Sequence, residues 1–453
     1  MLTKIEINGF KTFCGFQLEL GPFNAIAGAN ASGKSNLFDA IQFLALLAET
    51  DLRSAASGLR GEPHELFHRR PTGATADRID LAAEVLLDPD VRDPWGAEHT
   101  LIQTRLRYEL ALERRLVGGL ERLFVIHEAA RTIRASEDAW AKPFKQKHDP
   151  VIAPRLRHSR RADLLETVSK AGTPEFRIAQ DGHPGRHRPA VAAETTVLST
   201  MTSAEFPHLF ALREEMRSWR FLQIDPAGLR RAVDEHAPDR LEPSGSNLAA
   251  VLGRILAETR TPKEPDGLLT EISADLASLV PGILGVRVRK DEVERQWQIL
   301  IDTRSAGESS SRVASDGTLR LLALLTALGD PRFGGVICFE EPENGVHPAR
   351  LGPLIRHLRE LVAGNPSDDE DPPPPLLQLI MTTHSPVVVG ALEGNEGIFF
   401  DSVTSINGSD RTDVITRARP VRRHYQQTLD PATVGHLVTN AEVERYLATV
   451  GAG

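Results

Sequence analysis

The chain has 453 residues, of which 41% are apolar and 25% charged, and a formal net charge of -9. That length exceeds one ordinary domain, and the apolar share suffices for a sizeable core. The acidic balance excludes a protein coated in basic surface, so any nucleic-acid contact has to come from a local patch. Only Cys14 and Cys338 are present, which excludes a disulfide framework and fits a reducing compartment. No apolar run approaches the roughly 18 residues of a bilayer span, and the amino terminus lacks an apolar signal region. A cytoplasmic protein without membrane contact is expected.

The first elements read as strands separated by turns. Ile5 and Ile7 alternate with polar neighbours, as do Phe16, Leu18 and Leu20, and a short run from Asn24 to Ala27 ends at Gly28. Residues 35–48 carry Leu37, Ile41, Leu44 and Leu47 at helical spacing. Strand-like segments recur at 79–87, 101–112 and 123–126. Residues 142–190 are rich in Arg, Lys, His and Pro, and are expected to form an inserted, partly irregular segment. Strand character returns at 217–225, and a helix is predicted over 247–258 with Ser244 or Ser246 as its cap. Two short apolar runs, 334–339 and 376–381, predict strands buried on both faces. A helix over 348–363 and an acidic, proline-rich loop from Ser367 lie between them.

Residues 28–35 read G-A-N-A-S-G-K-S, a phosphate-binding loop between a strand and a helix. Gly28 and Gly33 let the backbone N–H groups around Asn30, Ala31 and Ser32 converge on phosphate oxygens, helped by the following helix N-terminus. Lys34 is expected to reach the β and γ phosphates and the Ser35 hydroxyl to ligate Mg²⁺, so ATP and Mg²⁺ are the expected cofactors. The run Val336-Ile-Cys-Phe-Glu-Glu-Pro-Glu delivers Glu340 at a strand end, where a carboxylate holds Mg²⁺ directly or through water. Glu341 is placed to orient or deprotonate the attacking water. His384, in Thr-Thr-His-Ser-Pro after another buried strand, is the candidate sensor of the γ phosphate. Ser315, Asp316 and Gly317 open an apolar helix and are read either as an anion site or as a plain helix cap.

In this order the four motifs resemble the ATPase head of ABC-type ATPases of the SMC and RecF kind, nearest to the AAA/ABC-like branch related to OLD-family proteins. The opening Lys4-Ile-Glu-Ile-Asn-Gly-Phe-Lys-Thr-Phe is similar to that family's first strand. Gly28 to Asn36 resembles its Walker A, Ser315-Asp-Gly-Thr-Leu-Arg its signature, residues 339–348 its Walker B, and Thr383-His-Ser-Pro its switch histidine. The similarity covers roughly 1–85 and 217–395. It implies an α/β, two-lobed head: a P-loop core sheet, an antiparallel β segment and a helical signature lobe. The implied division is lobe I at 1–90, an inserted β-rich and basic segment at 91–216, the return strand and signature lobe at 217–330, lobe I again at 331–400, and an extension at 401–453. In such heads two subunits sandwich two nucleotides, so Ser315 and Gly317 are expected to reach the partner's γ phosphate.

Some features depart from the family pattern. The Walker B acid is Glu340 where many relatives have Asp, and Gln223 is the candidate for the metal-contacting glutamine of lobe I. The span between Walker A and signature is far shorter than an SMC coiled-coil arm. Residues 395–453 are expected to be too short for the Toprim nuclease of OLD proteins. The expected function is therefore an ATP-hydrolysing subunit that forms a homodimer or higher oligomer. It would control an effector or nuclease encoded nearby, in phage defence or DNA repair. Residues 142–188, where 11 Lys/Arg face 5 Asp/Glu and Arg155, Arg157, Arg160 and Arg161 cluster, read either as a patch that follows a DNA backbone or as a solvated basic loop. The alternative is a nucleotide switch that holds or releases a toxin or effector without touching nucleic acid.

Overall fold

The computed structural model describes residues 1–159, 162–170, 172–180, 183–332, 334–364, 375–406, 412–422, 438–439 and 443. The first eleven strands are β1 (Leu2–Asn8), β2 (Phe16–Glu19), β3 (Phe23–Gly28), β4 (Arg78–Leu86), β5 (Asp90–Arg92), β6 (Glu98–Thr100), β7 (Arg105–Val117), β8 (Leu120–Thr132), β9 (Asp163–Lys170), β10 (Thr173–Gln180) and β11 (His183–Pro189). They are followed by β12 (Arg220–Leu222), β13 (Val233–Asp234), β14 (Ile283–Asp291), β15 (Gln296–Thr303), β16 (Gly307–Ser310), β17 (Gly335–Glu340), β18 (Leu377–Thr383), β19 (Gly397–Ile406), β20 (Thr412–Arg422) and β21 (Val438–Thr439). The helices are α1 (Lys34–Leu47), α2 (Leu52–Ser57), α3 (Lys142–Gln146), α4 (Pro207–Ser218), α5 (Pro226–Leu229), α6 (Leu248–Thr259), α7 (Leu269–Leu279), α8 (Asp316–Leu328), α9 (Pro348–Ala363) and α10 (Pro386–Ala391).

The core sheet runs β12-β17-β18-β3-β19-β20-β21, with β12, β17, β18, β3 and β19 parallel and β20 returning antiparallel. All six residues of β3 are buried, as are five of six in β17, which is why these strands read as unbroken apolar runs. Successive side chains point to opposite faces. Ile26, Val336, Cys338, Ile380 and Phe400 join a core with Leu37, Ile41 and Leu44 of α1 and with the second sheet. Ala25, Ile337, Phe339, Leu379 and Met381 pack on the other side against α6, α7, α8 and α9. The second sheet is antiparallel, in the order β11-β10-β9-β8-β7-β4-β1-β2. The α/β class expected from the sequence is what the chain adopts: a P-loop core sheet, an antiparallel segment and a helical layer carrying the signature motif.

The structure revises several local expectations. Residues 163–170, 172–180 and 183–189 are not irregular: β9, β10 and β11 extend the antiparallel sheet and bury Leu164, Leu165, Phe176 and Ile178. Their few apolar residues cover one face of a sheet edge, too sparse a pattern to stand out in a basic segment. The cap position of α6 is Asn247, not Ser244 or Ser246. Asn247 accepts from Glu242 N and donates to Pro238 O and Arg240 O, while Ser246 turns to Glu242. A boundary at residue 400 falls inside β19, so residues 397–406 and 412–422 supply two strands of the core sheet itself. The acidic stretch from Ser367 lies outside the described residues, apart from Pro375.

A buried charge ties the segment after β8 to the start of the chain. The wholly buried Arg105 donates from Nε and Nη2 to Asp138 at 2.8 and 3.1 Å and from Nη1 to Thr3 Oγ1 at 2.8 Å. Its guanidinium lies 4.8 Å from the Trp140 ring centre, and His158 Nε2 sits 2.9 Å from Asp138. Burial pushes the Asp138 carboxyl up, but Arg105, together with His158 and Ala141 N, holds it below its ordinary value. Asp138→Ala leaves the buried Arg105 with only the more distant Glu84 carboxylate at 3.8 Å, and is expected to lower unfolding stability by about 3–5 kcal/mol, read by denaturant melts.

Candidate nucleotide-binding site

Parallel pairing sets the site. Thr383 is level with Ala27, Glu340 with Thr382, and Phe400 with Gly28, so three strand ends meet at one edge. The loop from Gly28 to Gly33 turns there into α1, with Ala31 at φ 62° and Gly33 at φ 98°. A Cβ on Gly28 would collide with Phe400 O, and one on Gly33 with Thr416 Oγ1, so both positions require glycine. No side chain caps α1, which leaves its first N–H groups for an anion. The buried Ser32 Oγ has no hydrogen-bond partner, a donor held inside the loop.

Lys34 is buried, and its Nζ donates to Gly28 O and Ala29 O, each at 2.8 Å. Burial brings its pKa down to about 8, against the opposing charges of Glu341, Glu340 and Glu343. Ser35 Oγ donates to Glu340 Oε1 at 2.8 Å, joining the loop serine to the acid at the end of β17. Glu341 adopts a left-handed backbone at φ 50° and is held by Asn344 Nδ2 at 2.6 Å. His384 Nε2 lies 3.4 Å from Glu341 Oε1. Burial and the Lys34 charge push the His384 pKa down, keeping the ring neutral at pH 7. Lys34, Ser35, Glu340, Glu341 and His384, widely separated in sequence, thus share one site.

The signature residues are engaged elsewhere. Ser315 caps α8 by accepting from Thr318 N at 3.2 Å, and Asp316 pairs with Arg230 at 2.6 Å. Gly317 is buried against Gly345, where any Cβ would collide with Gly345 O, so its glycine is required within the chain. Arg320 of α8 donates to Glu340 O at 3.0 Å, linking that helix to the acidic strand end. Gln223 lies one residue beyond the Leu222–Phe339 pair and is exposed. Of the expected basic patch, Arg155 is buried beside Asp88, and Arg157 is half-buried and donates to Leu101 O. Both belong to the packing of the segment, and Arg160 and Arg161 lie outside the described residues.

One expected residue is engaged elsewhere, and Arg60 and Glu343 went unassigned in the sequence. Asn36, expected at the ligand, donates to Thr12 Oγ1 at 3.0 Å, and Arg60 donates to Ser35 O and Asp39. Glu343 accepts from Thr383 Oγ1 at 2.6 Å and from His384 N at 3.0 Å, and its Oε2 is buried without a partner. Burial raises its pKa. The only signal for Glu343 was its place in the acidic run after β17, where an acid also reads as an ordinary solvated residue.

A family profile described as "AAA domain, putative AbiEii toxin, Type IV TA system" matches residues 23–91 and 194–390. The chain belongs to this AAA-domain family. Solved structures with a related arrangement include the SmcHead bound to the C-winged helix domain of ScpA, with 13% identity, 92% of this chain and 98% of that chain covered, and a TM-score of 0.49. The SMC head domain from Thermotoga maritima matches at 14% identity over 93% of this chain and 99% of that chain, with a TM-score of 0.39. The Smc head domain with a coiled coil and joint from Pyrococcus yayanosii matches at 11% identity over 99% of each chain, with a TM-score of 0.46. No helix among the described residues is long and apolar enough to cross a membrane.

The chain's nucleotide-binding ATPase domain therefore holds a loop whose residues fit a triphosphate: an unpartnered buried hydroxyl, open helix N–H groups and two glycines at close approach. Glu343→Ala is expected to lower ATP turnover about a hundredfold by releasing the His384 loop, with ATP affinity changed less than about threefold. Glu343→Gln, which keeps the accepting oxygen, is expected to stay within about fivefold of wild type in steady-state assays.

Proposed function

We propose that the chain hydrolyses ATP and works as an ATP-controlled dimeric subunit that governs a partner protein. The observation that carries this is the Ser35–Glu340 hydrogen bond beside the Glu341–His384 pair, since both the expected Mg²⁺ ligands and the hydrolytic groups occupy one strand edge. Ser35 and Glu340 would hold Mg²⁺, with Gln223 as a further candidate one strand away. Bound there, the ion supplies charge neutralisation at the phosphates. Lys34 adds its own positive charge, which phosphate oxygens would stabilise further. Glu341 orients and deprotonates the attacking water, Asn344 holds its second oxygen, and neutral His384 donates a hydrogen bond toward the γ phosphate.

Ser315 and Asp316 are exposed, as a group that meets a partner subunit must be. In a head-to-head dimer Ser315 completes the site of the opposite chain, while Gly317 keeps α8 against the loop of its own chain. ATP binding closes such a dimer and hydrolysis opens it, a two-state element able to gate an effector. One version has a nuclease or other partner acting on DNA, in phage defence or repair. The other has the ATP state hold or release an effector or toxin without nucleic-acid contact. Burial of Arg155 and the engagement of half-buried Arg157 with Leu101 O take half of the arginine cluster invoked for DNA into the packing, and the toxin–antitoxin description of the matched family points the same way. We therefore favour control of a protein effector.

Lys34→Ala is expected to weaken ATP binding at least about a hundredfold. Glu341→Gln is expected to bind ATP normally, to lower turnover about a hundredfold or more, and to accumulate as an ATP-dependent dimer in light scattering. Wild-type turnover in Glu341→Gln would remove the assigned base, and a monomer at saturating ATP would remove the dimer.

A further inference from the structure

The C-terminal hairpin of β19 and β20 lies beyond the residues matched by the family profile, yet β20 touches the phosphate-binding loop directly. Thr416 Oγ1 lies 2.8 Å from Thr12 Oγ1 and 3.1 Å from Ser32 O, and Asn36 Nδ2 donates to the same Thr12 hydroxyl at 3.0 Å. A hydroxyl carries one hydrogen. Thr416 Oγ1 is the donor toward both Thr12 Oγ1 and Ser32 O, so its one hydrogen is shared between the two, while Asn36 donates to Thr12. The four groups form one connected hydrogen-bond chain centred on the Thr12 and Thr416 hydroxyls. Its two ends, Ser32 and Asn36, bracket Gly33, Lys34 and Ser35, the residues at the turn into α1.

The hairpin is itself anchored. Thr416 N donates to Thr12 O at 3.0 Å. Asp413, buried on the same strand, lies 2.8 Å from His68 Nε2, and His68 Nδ1 lies 2.6 Å from Lys11 O. Thr416 also occupies the space that a side chain on Gly33 would need, so strand and loop are in direct packing contact. Three residues apart on β20, Asp413 and Thr416 are both buried, and both spend their polar groups on the segments around the loop.

We propose that β20, acting through the Thr416 hydroxyl, holds the phosphate-binding loop in its ligand-ready geometry and so sets the chain's affinity for ATP. Thr416 is a positioning residue: it contacts the loop from behind and does not meet the reacting atoms. This rests on the assignment of ATP to the loop. Ground-state binding is the quantity it controls, because the loop cradles phosphates before and during the reaction alike.

The test measures Mg²⁺–ATP affinity by calorimetry, turnover at saturating ATP, and the melting temperature. The variants are Thr416→Val, Thr416→Ser and Thr12→Val, with Lys34→Ala as control. Thr416→Val keeps the shape and removes the hydroxyl, and is expected to weaken ATP binding about tenfold, the size of one lost hydrogen bond in a coupled chain. Saturated turnover stays within about twofold and Thr416→Ser recovers wild-type affinity within about twofold. Thr12→Val breaks the same chain from the other side, so it matches Thr416→Val, and the double variant is no weaker than either alone. Wild-type affinity in Thr416→Val overturns the proposal, as does a loss of turnover at unchanged affinity or a Thr416→Ser variant as weak as Thr416→Val. A uniform fall in melting temperature with no difference between Ser and Val at 416 assigns Thr416 to stability alone. If Lys34→Ala binds ATP as well as wild type, the assignment of ATP to the loop fails instead, which separates the two outcomes.

Discussion

The parallel pairing of β3 with β18 and β19, and of β18 with β17, places every chemical group of this chain. Parallel strands all end on the same edge, so Gly28, Glu340 and Thr383 leave the sheet side by side although they are far apart in sequence. Burial on both faces holds the strand ends still. A slip by one residue would turn the Ile26 and Ala25 faces inside out and take Glu340 away from Ser35.

Electrostatics then decides what that edge can do. One lysine sits among three glutamates, and burial of Lys34 lowers its pKa against their combined pull. An anionic ligand with its own cation relieves both the buried ammonium and the crowded carboxylates. The acids are kept apart by different hydrogen bonds: Glu340 to Ser35, Glu341 to Asn344, Glu343 to Thr383 and the His384 backbone. Each therefore has a fixed orientation, with Glu341 beside the His384 ring and Glu343 on its backbone. The left-handed turn at Glu341 is a strain that the Glu341 N to Thr382 O bond offsets, a pattern found where backbone geometry serves a site.

The layers around the sheet do separate jobs. The antiparallel sheet joins α1 in one core and is pinned by the buried Arg105–Asp138 pair, so it supports the phosphate loop from one side. The helical layer covers the other face, and through Gly317, Gly345 and Arg320 it couples α8 to the acidic loop. The signature helix and the Glu340 strand end are thereby in direct contact within one chain.

Local chemistry was legible in the amino acids alone. The strand, glycine loop and helix around Lys34 follow from the side-chain period and from positive-φ demands that only neighbouring residues decide. Glu340 and Glu341 stand out because two acids end an otherwise apolar strand. Residues whose meaning depends on distant partners were not legible. β9, β10 and β11 look irregular until they have a sheet edge to join, and Arg155 and Arg157 look like a solvated basic patch until Asp88 and Leu101 O receive them. Glu343 looks like any surface acid, and Thr416 like any strand threonine, because what gives each its place lies about 40 and about 380 residues away. The sequence by itself determined the phosphate loop and its acids, since turn geometry and burial pattern are encoded within a few residues. Tertiary structure decided which acids work together and which strand stands behind the loop, since those follow from long-range pairing that no local pattern records.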